Sequence, residues 1–208
     1  MSRLITPTLI GSISWLRSCY PSQKPKAALD LKNLLARKYG PMSPALELGI
    51  KFENAVVKAT SLEPADVKGS EHFKWIVKEV RGGEFQRKTS VMLTIDDAEY
   101  CLYGKEDAWF PDIIKDIKTT SNYKGEYSYM KSFQHKMYMY NENISKFRYV
   151  IAEFDGDQKI IDHHSVDIEI VDRSALEAEI ISTIKEAVAF LKQNTELFTL
   201  YTTVFSKH

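Results

Sequence analysis

The stretch from Glu84 to Lys118 constrains the fold more than any other part of the chain. Glu84 to Ile95, Glu99 to Phe110 and Ile113 to Lys118 read as three extended runs, separated by turns at Asp96-Asp97 and at Phe110-Pro111-Asp112. Strands joined this closely must start a sheet antiparallel. In the last run alternate side chains share a side, so Asp116 and Lys118 lie on one face. Asp107 closes the preceding run and falls beside them across the hairpin. Two carboxylates and an ammonium are costly to assemble unless a cation takes up the carboxylate charge, and Mg²⁺ with retained waters suits carboxylate oxygens. This arrangement points to metal-assisted phosphodiester hydrolysis.

At 208 residues the chain is expected to form one domain, residues 1–208, with a substantial core. A 44% hydrophobic content excludes a disordered chain, and no apolar run approaches the roughly 20 residues a membrane helix needs. The apolar patch Leu9 to Leu16 is short, broken by serines and without a small-residue cleavage site, which argues against a signal peptide. The two cysteines, Cys19 and Cys101, stand far apart and indicate neither a disulfide framework nor a zinc or iron–sulfur site. The expected setting is cytoplasmic, with no membrane contact. Net charge is zero but unevenly spread: Lys68 to Lys88 is basic, Glu153 to Glu179 acidic.

Ala27 to Tyr39 carries leucines at helical intervals and stops at Gly40-Pro41, and Ser43-Pro44 opens a second helix through Thr60. Glu71 to Val80 reads as a third helix ending at Gly82-Gly83. After the three strands come a polar loop, a helix from about Tyr129 to Asn141, a buried strand Phe147 to Phe154, a turn at Asp155-Gly156-Asp157 and a strand from His164 to Val171. A helix from Ser174, capped by that serine with Glu177 three residues on, runs to about Gln193. The order predicts an α/β or α+β sandwich.

Asp-x-Lys alone is weak, since exposed strands often alternate such charges, but its surroundings sharpen it. Asp107 follows Gly104-Lys105-Glu106; Gln134 and Tyr138 fall on one face of the following helix; and Gly49-Ile50-Lys51-Phe52-Glu53 places a carboxylate in an otherwise apolar helix. As a set, Glu53, Asp107, Asp116-Ile117-Lys118-Thr119-Thr120, Gln134 and Tyr138 resemble the PD-(D/E)XK nuclease superfamily, in particular its RecB-like and phage-type exonucleases. The resemblance covers roughly residues 49–154, with the motifs in the family's order.

The resemblance implies a restriction-endonuclease-like core of helix, three-stranded mixed sheet, helix and strand, with extra N- and C-terminal helices. It implies Mg²⁺ or Mn²⁺ held by Asp107, Asp116 and the Ile117 carbonyl, with Glu53 acting through a water or on a second ion. Lys118 would orient the attacking water and offset charge developing at phosphorus. Gln134 and Tyr138 match the Gln-x-x-x-Tyr element that supports the site and the DNA. The implied activity is a deoxyribonuclease, an exonuclease acting on DNA ends in phage-type recombination or repair. A structure-specific or restriction-type endonuclease on the same core and a catalytically idle DNA-binding relative are the alternatives. Partners would be DNA and, for processivity, a single-strand annealing protein or further copies of the chain. Asp112 competes with Asp107 as first metal aspartate, because only nine positions separate Asp107 from Asp116.

Lys74, Lys78 and Arg81 can share one helix face, with Arg87 and Lys88 following; a solvated surface is the default, and a phosphate track the functional reading. Thr119 and Lys131, with Lys124 and Lys136, are further candidates for nucleic-acid contact. Tyr123, Tyr127, Tyr129, Tyr138 and Tyr140 suit base stacking or plain packing. His163-His164 is expected at a turn or edge rather than as a metal pair, because neighbours on a strand face opposite sides. Asp155-Gly156-Asp157 lacks the rest of a calcium loop and reads as a hairpin turn.

Overall fold

The computed structural model describes residues 2–206. Strands are β1 (Arg3–Ile5), β2 (Glu84–Ile95), β3 (Ala98–Trp109), β4 (Ile114–Thr120), β5 (Lys146–Phe154) and β6 (Ile160–Glu169). Helices are α1 (Pro7–Ser18), α2 (Lys24–Leu35), α3 (Pro44–Thr60), α4 (Glu71–Val80), α5 (Tyr127–Met130), α6 (Phe133–Glu142), α7 (Arg173–Lys192) and α8 (Thr195–Leu200). The strands make one mixed sheet in the order β1-β3-β4-β5-β6, with β2 paired along β3. β2 and β3 form the long antiparallel hairpin, whose turn residues Asp96 and Asp97 both take positive φ, as a tight two-residue turn requires.

Burial splits the molecule into layers. Alternation along β5 sends Phe147, Tyr149 and Ile151 to one side and Val150, Ala152 and Phe154 to the other. The first set packs with α1, α2, α6, α7 and α8; the second with α3 and α4. In α3 the buried residues Phe52, Val56 and Ala59 recur at helical spacing, with Ser43 accepting the Leu46 N–H at the N-cap and Pro44 in the first turn. Each such large side chain contributes roughly 1.5–3 kcal/mol by leaving water.

Several boundaries differ from expectation. The apolar patch Leu9 to Leu16 belongs to α1, which follows the three-residue strand β1, and Leu9, Ile10 and Ile13 are core. α2 ends at Leu35, short of Tyr39, because Arg37 turns to positive φ. β6 begins at Ile160, ahead of His164, since Ile160 to His163 continue the ladder on β5.

One feature of the sheet creates the site. β3 shares a single edge between two partners: Tyr100 to Leu102 pair in parallel with β1, and Ala108 and Trp109 pair antiparallel with β4. Between those ladders, residues 103–107 of β3 face neither strand. β4 meanwhile stays paired with β5 along its whole length, Ile114 through Thr120.

Candidate active site

At the gap between β1 and β4 a cleft of about 620 Å³ opens, lined by Thr6, Arg37, Lys105, Lys118, Gln134 and Tyr138 among others. Two pairs into the antiparallel ladder, β3 and β4 part, and the Ile117 N–H finds the Asp107 carboxylate, donating to Oδ2 at 2.9 Å. A strand residue's N–H and C=O project from the same edge, so the Ile117 carbonyl faces this gap as well.

Asp116 is 1% exposed. Gln134 Nε2 donates to its Oδ1 at 2.6 Å, and Lys118 Nζ closes on its Oδ2 at 2.6 Å. Both carboxylate oxygens of Asp116 are thus engaged, one by the Gln134 amide and the other by the Lys118 ammonium. Glu53 enters from α3 and is held by Gln86 Nε2, whose residue sits at positive φ in β2. Tyr138 Oη donates to the Lys105 carbonyl at 2.8 Å and lies 3.3 Å from the Lys105 N–H, pinning α6 against the edge of β3 left open between β1 and β4. That contact needs Gly104: a Cβ there would overlap the Tyr138 ring and crowd Met137.

The charges register one another. Burial, and then the Asp116 charge, push the Asp107 carboxyl well above the usual carboxylate range, against the pull of Lys118. Burial, and then Asp116, also raise Glu53, with Lys105, Lys118 and Gln86 opposing. For Lys118 burial works against the charge, but Asp116 and Asp107 outweigh it and the ammonium is raised above its ordinary range. Three carboxyl groups thus share the field of Lys118, and Glu53 that of Lys105 as well. The donors gathered here, carboxylate oxygens and a backbone carbonyl, are the kind a hard divalent cation takes. Glu53, Asp107 and Asp116 are not among the described groups whose donor atoms all lie within 4.8 Å of one another.

Asp112, the rival to Asp107, is exposed at the far end of β4, beside Lys146 and Arg148. The basic residues proposed on and after α4 do not gather at the cleft. Arg81 donates to the Thr60 and Leu62 carbonyls at 2.7 and 2.6 Å, and Lys74 pairs with Glu71 at 2.8 Å. Arg87 bonds Glu142 at 3.0 Å and lies 4.0 Å over the Trp109 ring. Lys78 is exposed and lines no part of the cleft, whereas Lys88, also exposed, stands directly across the β2–β3 ladder from the cleft residue Lys105. Their proximity in sequence groups residues that the fold assigns to the other helical layer and to a structural ion pair. Thr119 lies close to Gly49 of α3, while Lys131 packs 3.9 Å over the Tyr127 ring in a neighbouring groove. Sequence reading did not single out Arg37 or Lys105 as cleft residues, nor Gln86 as the partner of Glu53. Lys105 carried a signal, since it follows the glycine that admits Tyr138; the other two are brought in by distant elements.

No protein-family model matches the chain, and no curated protein matches it in sequence. Solved structures do match in fold. The alkaline exonuclease from Laribacter hongkongensis is 14% identical, with 97% of this chain and 93% of that one covered and a TM-score of 0.54. The protein SSO0001 is 16% identical, with 94% of this chain and 78% of that one covered and a TM-score of 0.53. A phage-related exonuclease from Haemophilus somnus matches at 15% identity and a TM-score of 0.48, over 93% of this chain and 94% of that one. The chain shares the fold of these structures, a restriction-endonuclease-like core built on a mixed sheet.

Proposed function

We propose that the chain is a Mg²⁺-dependent deoxyribonuclease, one nuclease domain over residues 1–208, that hydrolyses phosphodiester bonds at DNA ends. The observation that supports it best is the meeting of Lys118 and Asp116 at 2.6 Å in the field of Asp107 and Glu53, with Lys118 lining the cleft where β3 and β4 part. The likeness in fold to the Laribacter alkaline exonuclease leans the same way.

Asp107, Asp116 and the Ile117 carbonyl would hold Mg²⁺ or Mn²⁺, with Glu53 acting through a water or on a second ion. Bound there, the ion supplies Lewis acidity at a phosphoryl oxygen and lowers the pKa of its water. The remaining work falls to the chain. Lys118 stays protonated, so it donates rather than accepts: it orients the attacking water and offsets negative charge growing on the phosphate. Gln134 fixes which Asp116 oxygen is committed to the protein and which faces the site. Tyr138 is a positioning residue, acting through the Lys105 backbone.

DNA would enter along the cleft and meet Lys105 and Arg37, with Thr119 beside α3 and Lys131 in the neighbouring groove as further contacts. DNA recombination or repair is the proposed setting, in the cytoplasm, with a single-strand annealing protein or further copies of the chain as partners. No helix among the described residues is long and apolar enough to cross a membrane. A time course on end-labelled linear DNA beside a closed-circular control tests the assignment: Mg²⁺-dependent loss of label from the linear substrate alone supports an exonuclease, nicking or linearisation of the circle supports the endonuclease alternative, and cleavage of neither rejects both.

A further inference from the structure

We propose that the outer edge of the sheet carries a separate transition-metal site, formed by His72 of α4 with Asp162 and His163 of the edge strand β6, and suited to a borderline ion such as Zn²⁺. The two imidazole Nδ1 atoms lie 2.8 Å apart, and Asp162 Oδ1 lies 3.9 Å from one and 4.0 Å from the other. Those three separations fix one point equidistant from the donors, about 2.1 Å from each. Zinc bonds imidazole nitrogen at ~2.0–2.1 Å and carboxylate oxygen at ~2.0–2.2 Å. Movements of a few tenths of an ångström would lift the ion out of the donor plane toward a tetrahedral arrangement, leaving one position for water.

The donors are held and yet reachable. Asp162 turns back along the strand so that its Oδ1 accepts the His163 N–H at 2.7 Å. The His163 ring lies against Trp75, with centroids 4.3 Å apart, which sets its orientation. The side chains of His72, His163 and Asp162 keep 34%, 31% and 53% of their exposure, so an ion can arrive from solvent. On the opposite face His164 is committed elsewhere: its Nε2 meets Glu153 Oε2 at 2.9 Å and its ring stacks on Tyr123 at 3.9 Å. The expectation that adjacent histidines face opposite sides therefore holds for His163 and His164. The second imidazole of the site comes from α4, a helix far away in sequence.

Two nitrogens and one oxygen select against Mg²⁺, which takes oxygen ligands in an octahedron. The site uses none of Asp107, Asp116 or Lys118, so it stands or falls apart from the nuclease reading. Its physical effect would be to clamp α4 to the edge strand.

The test is a Zn²⁺ titration by calorimetry on the chelator-stripped full chain in excess Mg²⁺, with melting followed in parallel. One equivalent should bind with a dissociation constant on the order of micromolar or tighter and raise the melting temperature. His72→Ala should weaken binding by about a hundredfold, with Asp162→Asn, an exposed position, as the second variant if the first does not fold; both should lose the zinc-induced rise. Absence of a stoichiometric zinc site in the unaltered chain, or wild-type affinity in the folded variants, would overturn the proposal.

Discussion

Asp107 accepts the backbone N–H of Ile117 at 2.9 Å, so a side chain of β3 stands in for a backbone carbonyl where β3 and β4 separate. This bond makes the first acidic residue both a structural link and a member of the charge cluster. The two roles can be pulled apart. Asp107→Asn keeps an acceptor for the amide and should cost under about 1 kcal/mol of stability while lowering cleavage at least roughly a hundredfold. Asp107→Ala should lose the same activity and a further 1–3 kcal/mol or so, read by denaturant unfolding, because the Ile117 amide is left unpaired.

The close approach of α6 to β3 predicts a steric defect. Gly104→Ala would push its methyl into the Tyr138 ring, forcing α6 off the segment that carries Lys105 and Asp107. Overpacking of this kind costs about 1–3 kcal/mol. Unfolding curves should show that loss, and kcat should fall more than KM rises, because the displaced element positions the site.

The placement of positive charge predicts which lysines feel DNA. Lys105 is exposed in the cleft, whereas Lys78 lies outside it. Lys105→Ala should weaken DNA binding and reduce the slope of log K against log salt by about 0.9, the value for one lost phosphate contact on duplex DNA. Lys78→Ala should leave the slope unchanged. Binding isotherms at several salt concentrations decide between this assignment and a phosphate track along α4.

His135 gives the fold a pH signature. It is buried on α6 with Nδ1 3.1 Å from Tyr149 Oη, and burial, helped by Lys136, lowers it from 6.5 to about 4. The unfolded chain then takes up a proton that the folded chain refuses, so stability should fall as pH drops from 6.5 toward 4, by at most about 1.4 kcal/mol per pH unit. Above pH 6.5 this contribution is fully present. His135→Gln, which keeps a polar group near Tyr149, should flatten that limb in unfolding measurements at successive pH values.

Much of this architecture was legible in the residues themselves. The β2–β3 hairpin announced itself through Asp96-Asp97, and α3 and α4 through their capping serines and apolar spacing, all local signals. β1 was not legible, because three residues carry no periodicity; it exists only because β3 offers them an edge. In the site, strand alternation set Asp116 and Lys118 on one face, and the glycine before Lys105 hinted at a close neighbour. Gln86 and Arg37 escaped notice because each reaches its place through a positive-φ kink and a contact across distant parts of the chain. The basic run ending at Lys88 does not stay together in space: the turn at Gly82 parts the α4 residues from Arg87 and Lys88 on β2, and Lys88 comes to stand across from Lys105.

The central claim is that Lys118 acts on a phosphodiester beside an acid-bound divalent ion. Single-turnover cleavage of end-labelled linear DNA by purified wild type and Lys118→Ala, each with Mg²⁺ and with chelator, tests it most directly, with DNA binding measured on the same samples. The account predicts cleavage by wild type with Mg²⁺ only, and loss of at least roughly a thousandfold in Lys118→Ala while DNA binding persists. Cleavage by Lys118→Ala at the wild-type rate, or by wild type in chelator, would contradict it.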